Sequence, residues 1–185
     1  LAHARMAPIQ VTSWGHSETS GIDTIDYYVS SQLYERPFEE AQHDYSETLV
    51  LQNSLSTFYS SLFIDEMMKV PLHDNTLRTI LDGPPYIICA QFLHKLGTEY
   101  LRMIQTLLQQ DPDIRVVLIN GNQSSSDAKR VQAVFEQNEH QLCVLEKMRT
   151  ADLYKVVKHS RFVLDSYPHG GCNTSLEAFR FGKII

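Results

Sequence analysis

The chain has 185 residues, 43% of them hydrophobic and 21% charged, and a formal net charge of −6. This composition is that of an ordinary globular protein. An acidic balance with no basic run excludes a nucleic-acid footprint, and no stretch approaches the about 20 apolar residues that span a bilayer.

Seven short apolar, β-branched or aromatic runs predict strands at 8–14, 25–31, 48–52, 86–90, 115–120, 141–146 and 161–166. Each is bounded by Gly, Pro, Asn, Asp or Ser, as strands usually are. Their continuous apolar character suits buried parallel strands. Helical spacing appears between the later runs. In 97–110, Leu101, Ile104, Leu107 and Leu108 form a stripe that Asp111-Pro112 ends. In 124–138, Ser124 and Asp127 fit a capping box. In 150–160, Thr150 fits an N-cap ahead of Leu153, Val156 and Val157, and a last helix starts near Asn173. Residues 86–185 thus alternate strand and helix, with a further strand starting at Lys183-Ile184-Ile185. Such alternation implies a parallel sheet with right-handed crossovers.

The first half holds three strands with few helical signals. A turn at Asp82-Gly83-Pro84-Pro85 suggests a boundary, so the expected units are 1–84 and 85–185. Cys89, Cys143 and Cys172 are widely spaced and form no C-x-x-C pair, so neither a zinc site nor a disulfide framework is expected. With no signal peptide in the opening residues, a reducing cytoplasm is the expected location. The chain reads as an internal piece of a longer polypeptide.

In open parallel sheets, ligands bind beyond the carboxyl ends of the strands. The segment Tyr167-Pro168-His169-Gly170-Gly171-Cys172-Asn173-Thr174 falls at such an end. Paired glycines before a helix start outline a phosphate cradle. The same residues also fit a capping box, Thr174-x-x-Glu177, which only starts a helix. Lys95, just after the YIICA run, can neutralise a diphosphate as a point charge or simply be solvated. The loop Ser13-Trp14-Gly15-His16 after the first strand is a third candidate, although Trp14 also fits a core position and His16 a surface one.

Four blocks, APIQVTSWGHSETSGIDTIDYYVSS, YSETLVL, CAQFLHKL and GGCNTSLEAFRFG, together resemble the catalytic region of the O-linked N-acetylglucosamine transferase family and its bacterial relatives. The resemblance covers nearly the whole chain and is weakest in 53–84 and 121–140. It implies an α/β, Rossmann-like fold: the C-terminal half of a GT-B glycosyltransferase with a piece of the preceding domain. It implies inverting transfer from a UDP-sugar, with UDP-N-acetylglucosamine foremost, to a protein or glycan hydroxyl or amide. No metal, cofactor, nucleic acid or membrane span is expected.

By resemblance, Lys95 holds the diphosphate. Gly171, Cys172, Asn173 and Thr174 form the phosphate-binding turn, and Glu177 meets the ribose. Met148 and Thr150 meet the uracil, and Trp14, Gly15, His16 and His94 lie near the sugar. Lys95 and His16 are the expected catalytic residues, and His3, His16 and His169 are candidates for the general base. Two places depart from the family pattern. Cys172 stands where relatives carry His or Gly, and Ser17-Glu18 where they carry Pro and a small residue. These departures motivate one alternative, a UDP-sugar-binding module without transfer, and a further alternative keeps the fold but changes the chemistry, a sugar-nucleotide epimerase.

Overall fold

The computed structural model describes residues 3–15, 18–58, 60–121 and 125–185. It divides into two compact units, Leu1–Phe58 and Tyr59–Ile185. The division lies upstream of the 84/85 boundary expected from the sequence. Residues 60–84 carry Ile64, Leu77 and Ile80, which are buried. Two of these, Leu77 and Ile80, join the core of the second unit. Backbone carbonyls of Val70 and Pro71 also accept hydrogen bonds from Lys155 and Arg149 of that unit.

The first unit is a parallel sheet of β1 (Val11–Ser13), β2 (Tyr27–Ser31) and β3 (Thr48–Gln52), in that order. The first strand is shorter than its expected 8–14, because Trp14 and Gly15 turn the chain immediately after Ser13. A short helix, α1 (Phe38–Ala41), precedes β3. Tyr28, Ala41 and Leu49 form the core with Tyr45 and Leu51. The Tyr28 and Tyr45 rings meet at 4.6 Å in a tilted arrangement, which suits the charge distribution of aromatic faces and edges.

The second unit begins with α2 (Ser61–Lys69) and α3 (Thr76–Leu81). Its sheet is β4 (Tyr86–Phe92), β5 (Arg115–Asn120) and β6 (Leu142–Glu146), all parallel and in that order. The crossovers carry α4 (Thr98–Gln110) and α5 (Ser125–Val134). After β6 come α6 (Thr150–His159) and α7 (Asn173–Arg180). Successive strand residues face opposite ways, and both faces are covered. Ile87, Cys89, Val116 and Leu118 pack on Leu101, Ile104 and Leu108 of α4 and Val131 of α5. Ile88, Val117 and Ile119 pack on α3, on Val156 and Val157 of α6, and on Ala178 of α7. This two-sided burial explains why the centres of the runs are continuously apolar. The chain is therefore an α/β protein of Rossmann-like parallel sheets.

Four expectations change in detail. Residues 161–166 form an isolated parallel bridge, Val163 beside Ile88, rather than a full strand. Arg161 N–H and Leu164 N–H donate to Tyr86 and Ile88 carbonyls, and Ile88 N–H donates to Phe162. The pairing stops at Leu164 because Asp165 turns its own carboxylate onto the Ser166 amide at 2.9 Å. Lys183-Ile184-Ile185 makes one hydrogen bond to this edge, Val163 N–H to Ile184 O at 3.0 Å, and is not a strand. The helix expected over 124–138 ends at Val134 and gives way to a 3-10 turn, Glu136–Gln141. Its expected cap, Ser124, lies outside the described residues. Thr150 is the first helical residue of α6, and Arg149 is the N-cap.

Gly121 closes β5 against the Phe92 ring, where an added methyl group would overlap the ring carbons. Gly121→Ala is expected to cost about 1–3 kcal/mol, as overpacked cores do, measured as a lower urea midpoint. An unchanged midpoint would mean that Phe92 swings aside freely.

Candidate functional site

The carboxyl ends of β4, β5 and β6 and of the edge segment at Val163 lie along one side of the second unit's sheet. Adjacent strands are about 4.8 Å apart, so segments that leave these ends are close neighbours. Leu93 to Gly97 leave β4 just after Gln91 and Phe92, Gly121 follows Asn120 at the end of β5, and Lys147 to Arg149 leave β6. Asp165 to Thr174 leave the edge segment.

Lys95 occupies a 3-10 turn, Leu93–Lys95, directly after β4. The buried side chains of Leu93 and Leu96 anchor the turn on either side. Lys95 Nζ donates to Gln91 Oε1 at 3.0 Å. Gln91 Nε2 in turn donates to Thr174 Oγ1, and Thr174 Oγ1 donates to Gly171 O at 3.1 Å. Lys95 is thus tied through one carboxamide to the start of α7. The loops are also joined by their backbones. Leu96 bridges Pro168, and Gly97 N–H donates to Tyr167 O at 3.4 Å.

Gln91 was not among the residues singled out from the sequence. Its signal is an amide in the otherwise apolar run YIICAQF, only 6% exposed. A buried amide of that kind requires partners, and both of its polar atoms have them.

The glycine turn is built around Asp165, a second residue missed from the sequence. Asp165 Oδ1 accepts from the amides of Gly171 and Ser166. A Cβ on Gly171 would stand 2.7 Å from Thr174 Oγ1, 2.8 Å from Ser175 Oγ and 3.0 Å from Asp165 Oδ1. Only glycine allows that approach. The Gly171 amide is engaged by Asp165 and does not point outward as a vacant donor.

Cys172 follows with φ 43° and ψ −94°. An L residue held in this region costs about 1–3 kcal/mol, and such outliers cluster where a turn is over-determined by its surroundings. Burial and the Asp165 charge push the Cys172 thiol above its ordinary pKa, against the pull of the Asn173 amide and Lys95. The thiol is neutral near pH 7 and adds no negative charge beside Lys95.

The capping-box reading of Thr174 and Glu177 does not hold. Cys172 is the N-cap of α7, with no side-chain cap hydrogen bond. Glu177 Oε1 accepts from Tyr154 OH at 2.8 Å on α6, instead of turning back to the helix start.

Met148 lines a cleft of about 620 Å³ past β6, with His73, Leu77, Glu146 and Asp152. Asp152 is 2% exposed, and its carboxylate accepts from Arg149 Nε at 2.8 Å and His73 N–H at 3.3 Å. The Arg149 hydrogen bond first, and then the His73 amide and nearby cations, hold Asp152 below the usual carboxylate range against burial. Thr150 and His94 are exposed, and the His94 ring lies 6.0 Å from that of Phe92.

Trp14 and Gly15 belong to the first unit. Gly15 lines a hollow there with Val11, Thr12, Ser13 and Val29. His16 and Ser17 lie outside the described residues, and His3, Glu18 and His169 are exposed. Of the expected residues in the second unit, the structure joins Lys95, Gly171 and Thr174 in one hydrogen-bonded cluster with Cys172 on the same turn.

Searches with the sequence match no family model and no curated protein. Solved structures do match. A point mutant of the Thermobaculum terrenum O-GlcNAc transferase superposes with a TM-score of 0.75 at 27% identity. It is matched over 96% of this chain and 32% of its own. A UDP-forming α,α-trehalose-phosphate synthase from Burkholderia xenovorans superposes with a TM-score of 0.55 at 14% identity, over 85% of this chain and 44% of its own. The fold is that of the GT-B glycosyltransferases. Within that class the chain is similar to the O-GlcNAc transferases, as the sequence blocks suggest, and it spans about a third of the length of the one it matches. Among the described residues, no helix is long and apolar enough to cross a membrane.

Proposed function

We propose that the chain is the donor-binding part of a glycosyltransferase that moves a hexose, N-acetylglucosamine foremost, from a UDP-sugar to a hydroxyl or amide of a protein or other acceptor. The observation that carries this reading is the Lys95–Gln91–Thr174 relay. It sets an ammonium and the mouth of a helix side by side at the carboxyl end of a parallel sheet. The similarity to a bacterial O-GlcNAc transferase supports the choice of sugar donor.

In the proposed reaction the acceptor oxygen or amide nitrogen attacks the anomeric carbon from the face opposite UDP. The bond from that carbon to the diphosphate oxygen breaks, and its electron pair leaves with UDP. The acceptor's proton passes to solvent water, and the configuration inverts. Negative charge grows on the diphosphate as the bond lengthens. A fixed cation aimed at that charge contributes several kcal/mol, because it needs no reorganisation at the moment of reaction. Lys95 supplies the cation, with no metal ion required, and Thr174, whose hydroxyl proton goes to Gly171 O, positions it through Gln91. Glu177, freed from any capping role, accepts from the ribose hydroxyls, and the cleft beside Met148 receives the uracil. Free cysteines at 89, 143 and 172 fit a reducing cytoplasm.

The test is incubation of the natural full-length polypeptide with UDP-N-acetylglucosamine and a peptide library, followed by mass analysis. The expected result is free UDP and peptides carrying one added hexosamine. A UDP-sugar recovered unchanged identifies a binding module, and an altered sugar still on UDP identifies an epimerase. Either outcome overturns the transferase reading.

A further inference from the structure

The geometry points to Arg130 as a positioning residue for Lys95, acting through the backbone of the turn that carries it. Arg130 lies on α5, a crossover helix with no resemblance to a donor-binding motif. Its guanidinium reaches across to the Leu93–Lys95 turn. Nη2 donates to Leu93 O at 2.7 Å, and Nη1 donates to Leu96 O at 2.6 Å. Asp127, one turn earlier on α5, accepts from Nη2 at 3.3 Å and orients the guanidinium.

These two carbonyls bracket the His94–Lys95 backbone. Leu93 O also accepts the turn's own hydrogen bond from Leu96 N–H at 3.1 Å. The planar fork of arginine, with donors at fixed spacing, can hold both carbonyls at once. The Leu93 and Leu96 side chains are each 1% exposed, so the turn is fixed from beneath by packing and from the side by Arg130. The Lys95 side chain extends from this turn, and Gln91 holds its tip at 3.0 Å. A group held this way loses less conformational freedom when a ligand arrives. Without Arg130, Leu96 O loses its guanidinium donor and Leu93 O keeps only the Leu96 N–H, the turn gains alternative conformations, and the ammonium is spread over a wider volume.

This inference rests on the reading of Lys95 as the diphosphate cation, and the experiment separates the two. UDP affinity is measured by calorimetry, and uridine affinity by NMR titration, on the natural full-length polypeptide. The proteins compared are the wild type, Lys95→Ala, Arg130→Ala, Arg130→Lys and the double alanine variant. Arg130→Ala is expected to weaken UDP about tenfold, a loss of about 1.4 kcal/mol, and to leave uridine unchanged. Arg130→Lys, which can satisfy one carbonyl, is expected to fall between. The double variant is expected to bind no more weakly than Lys95→Ala alone, because coupled residues do not add.

Wild-type affinity for UDP in Arg130→Ala overturns the inference. So does an equal loss of UDP and uridine, which marks a general structural role, and so do additive losses in the double variant. If Lys95→Ala itself binds UDP as the wild type does, the reading of the site fails and the inference falls with it.

Discussion

Lys95→Ala is expected to weaken UDP binding about hundredfold, roughly 2.7 kcal/mol, with little change in the unfolding midpoint. The reason lies in what holds the ammonium. Its hydrogen-bond partner is a neutral carboxamide, Gln91 Oε1 at 3.0 Å, so its charge is oriented but not cancelled. Two opposite charges about 4 Å apart at a partly solvated site interact by about 4 kcal/mol. Removing one partner of such a pair commonly costs 2–5 kcal/mol. Thr174 and the rest of the turn survive the substitution, so binding is weakened rather than abolished. Calorimetric titration with UDP checks the result. An affinity within a factor of two of wild type would remove the charge from the site and leave the fold alone as the basis for a nucleotide donor.

The strands of the second unit were legible because their burial is two-sided. YIICA and the VVLI centre of RVVLIN have apolar residues at every position, and the structure fills both faces with helices. The run RFVLDS looks the same on paper. Its pairing with β4 is cut short by Asp165, whose carboxylate collects local amides and ends the ladder. No sequence period signals that competition. The helix at Asn173 was legible, but its function as cap or cradle was not, since both readings use Thr174 and Glu177. The contact that separates them, Tyr154 OH to Glu177, joins residues 23 apart. Gln91 and Arg130 escaped notice for a related reason. Each acts on a segment distant in sequence, 83 residues away for Gln91 and Thr174, and 34 to 37 for Arg130 and its two carbonyls. Local patterns locate elements and their ends. They do not show which buried polar group bridges two loops.

Glu47→Gln is expected to destabilise the first unit by about 3 kcal/mol near neutral pH and to remove much of its acid sensitivity. Glu47 opens the block before β3, and its residue is 2% exposed. Its carboxylate accepts from Thr19 Oγ1 at 2.6 Å, Ser20 N–H at 2.8 Å, Ser20 Oγ and Ser46 Oγ. Burial alone pushes the carboxyl up, but the hydrogen bonds from Ser20 and Thr19 outweigh it and hold its pKa at about 2, against an ordinary 4.5. A carboxylate depressed in the folded state contributes stability above its unfolded pKa. That stability is lost as pH falls from about 4.5 through about 2, and the gap corresponds to about 3 kcal/mol. Glutamine keeps the shape but offers no charge to the hydroxyls, and one of its two polar atoms is a donor facing donors. Trp14, the single tryptophan of the chain, lies in the loop whose far end Thr19 and Ser20 pin to Glu47, so its fluorescence reports this unit. Urea unfolding followed by Trp14 at about pH 7 and about pH 3 is expected to show a large pH difference for wild type and a small one for Glu47→Gln. Equal pH differences in the two proteins would mean that the loop is held by its backbone and not by this carboxylate. In that case the packing of Tyr28, Leu49 and Tyr45 would have to account for the stability of the unit.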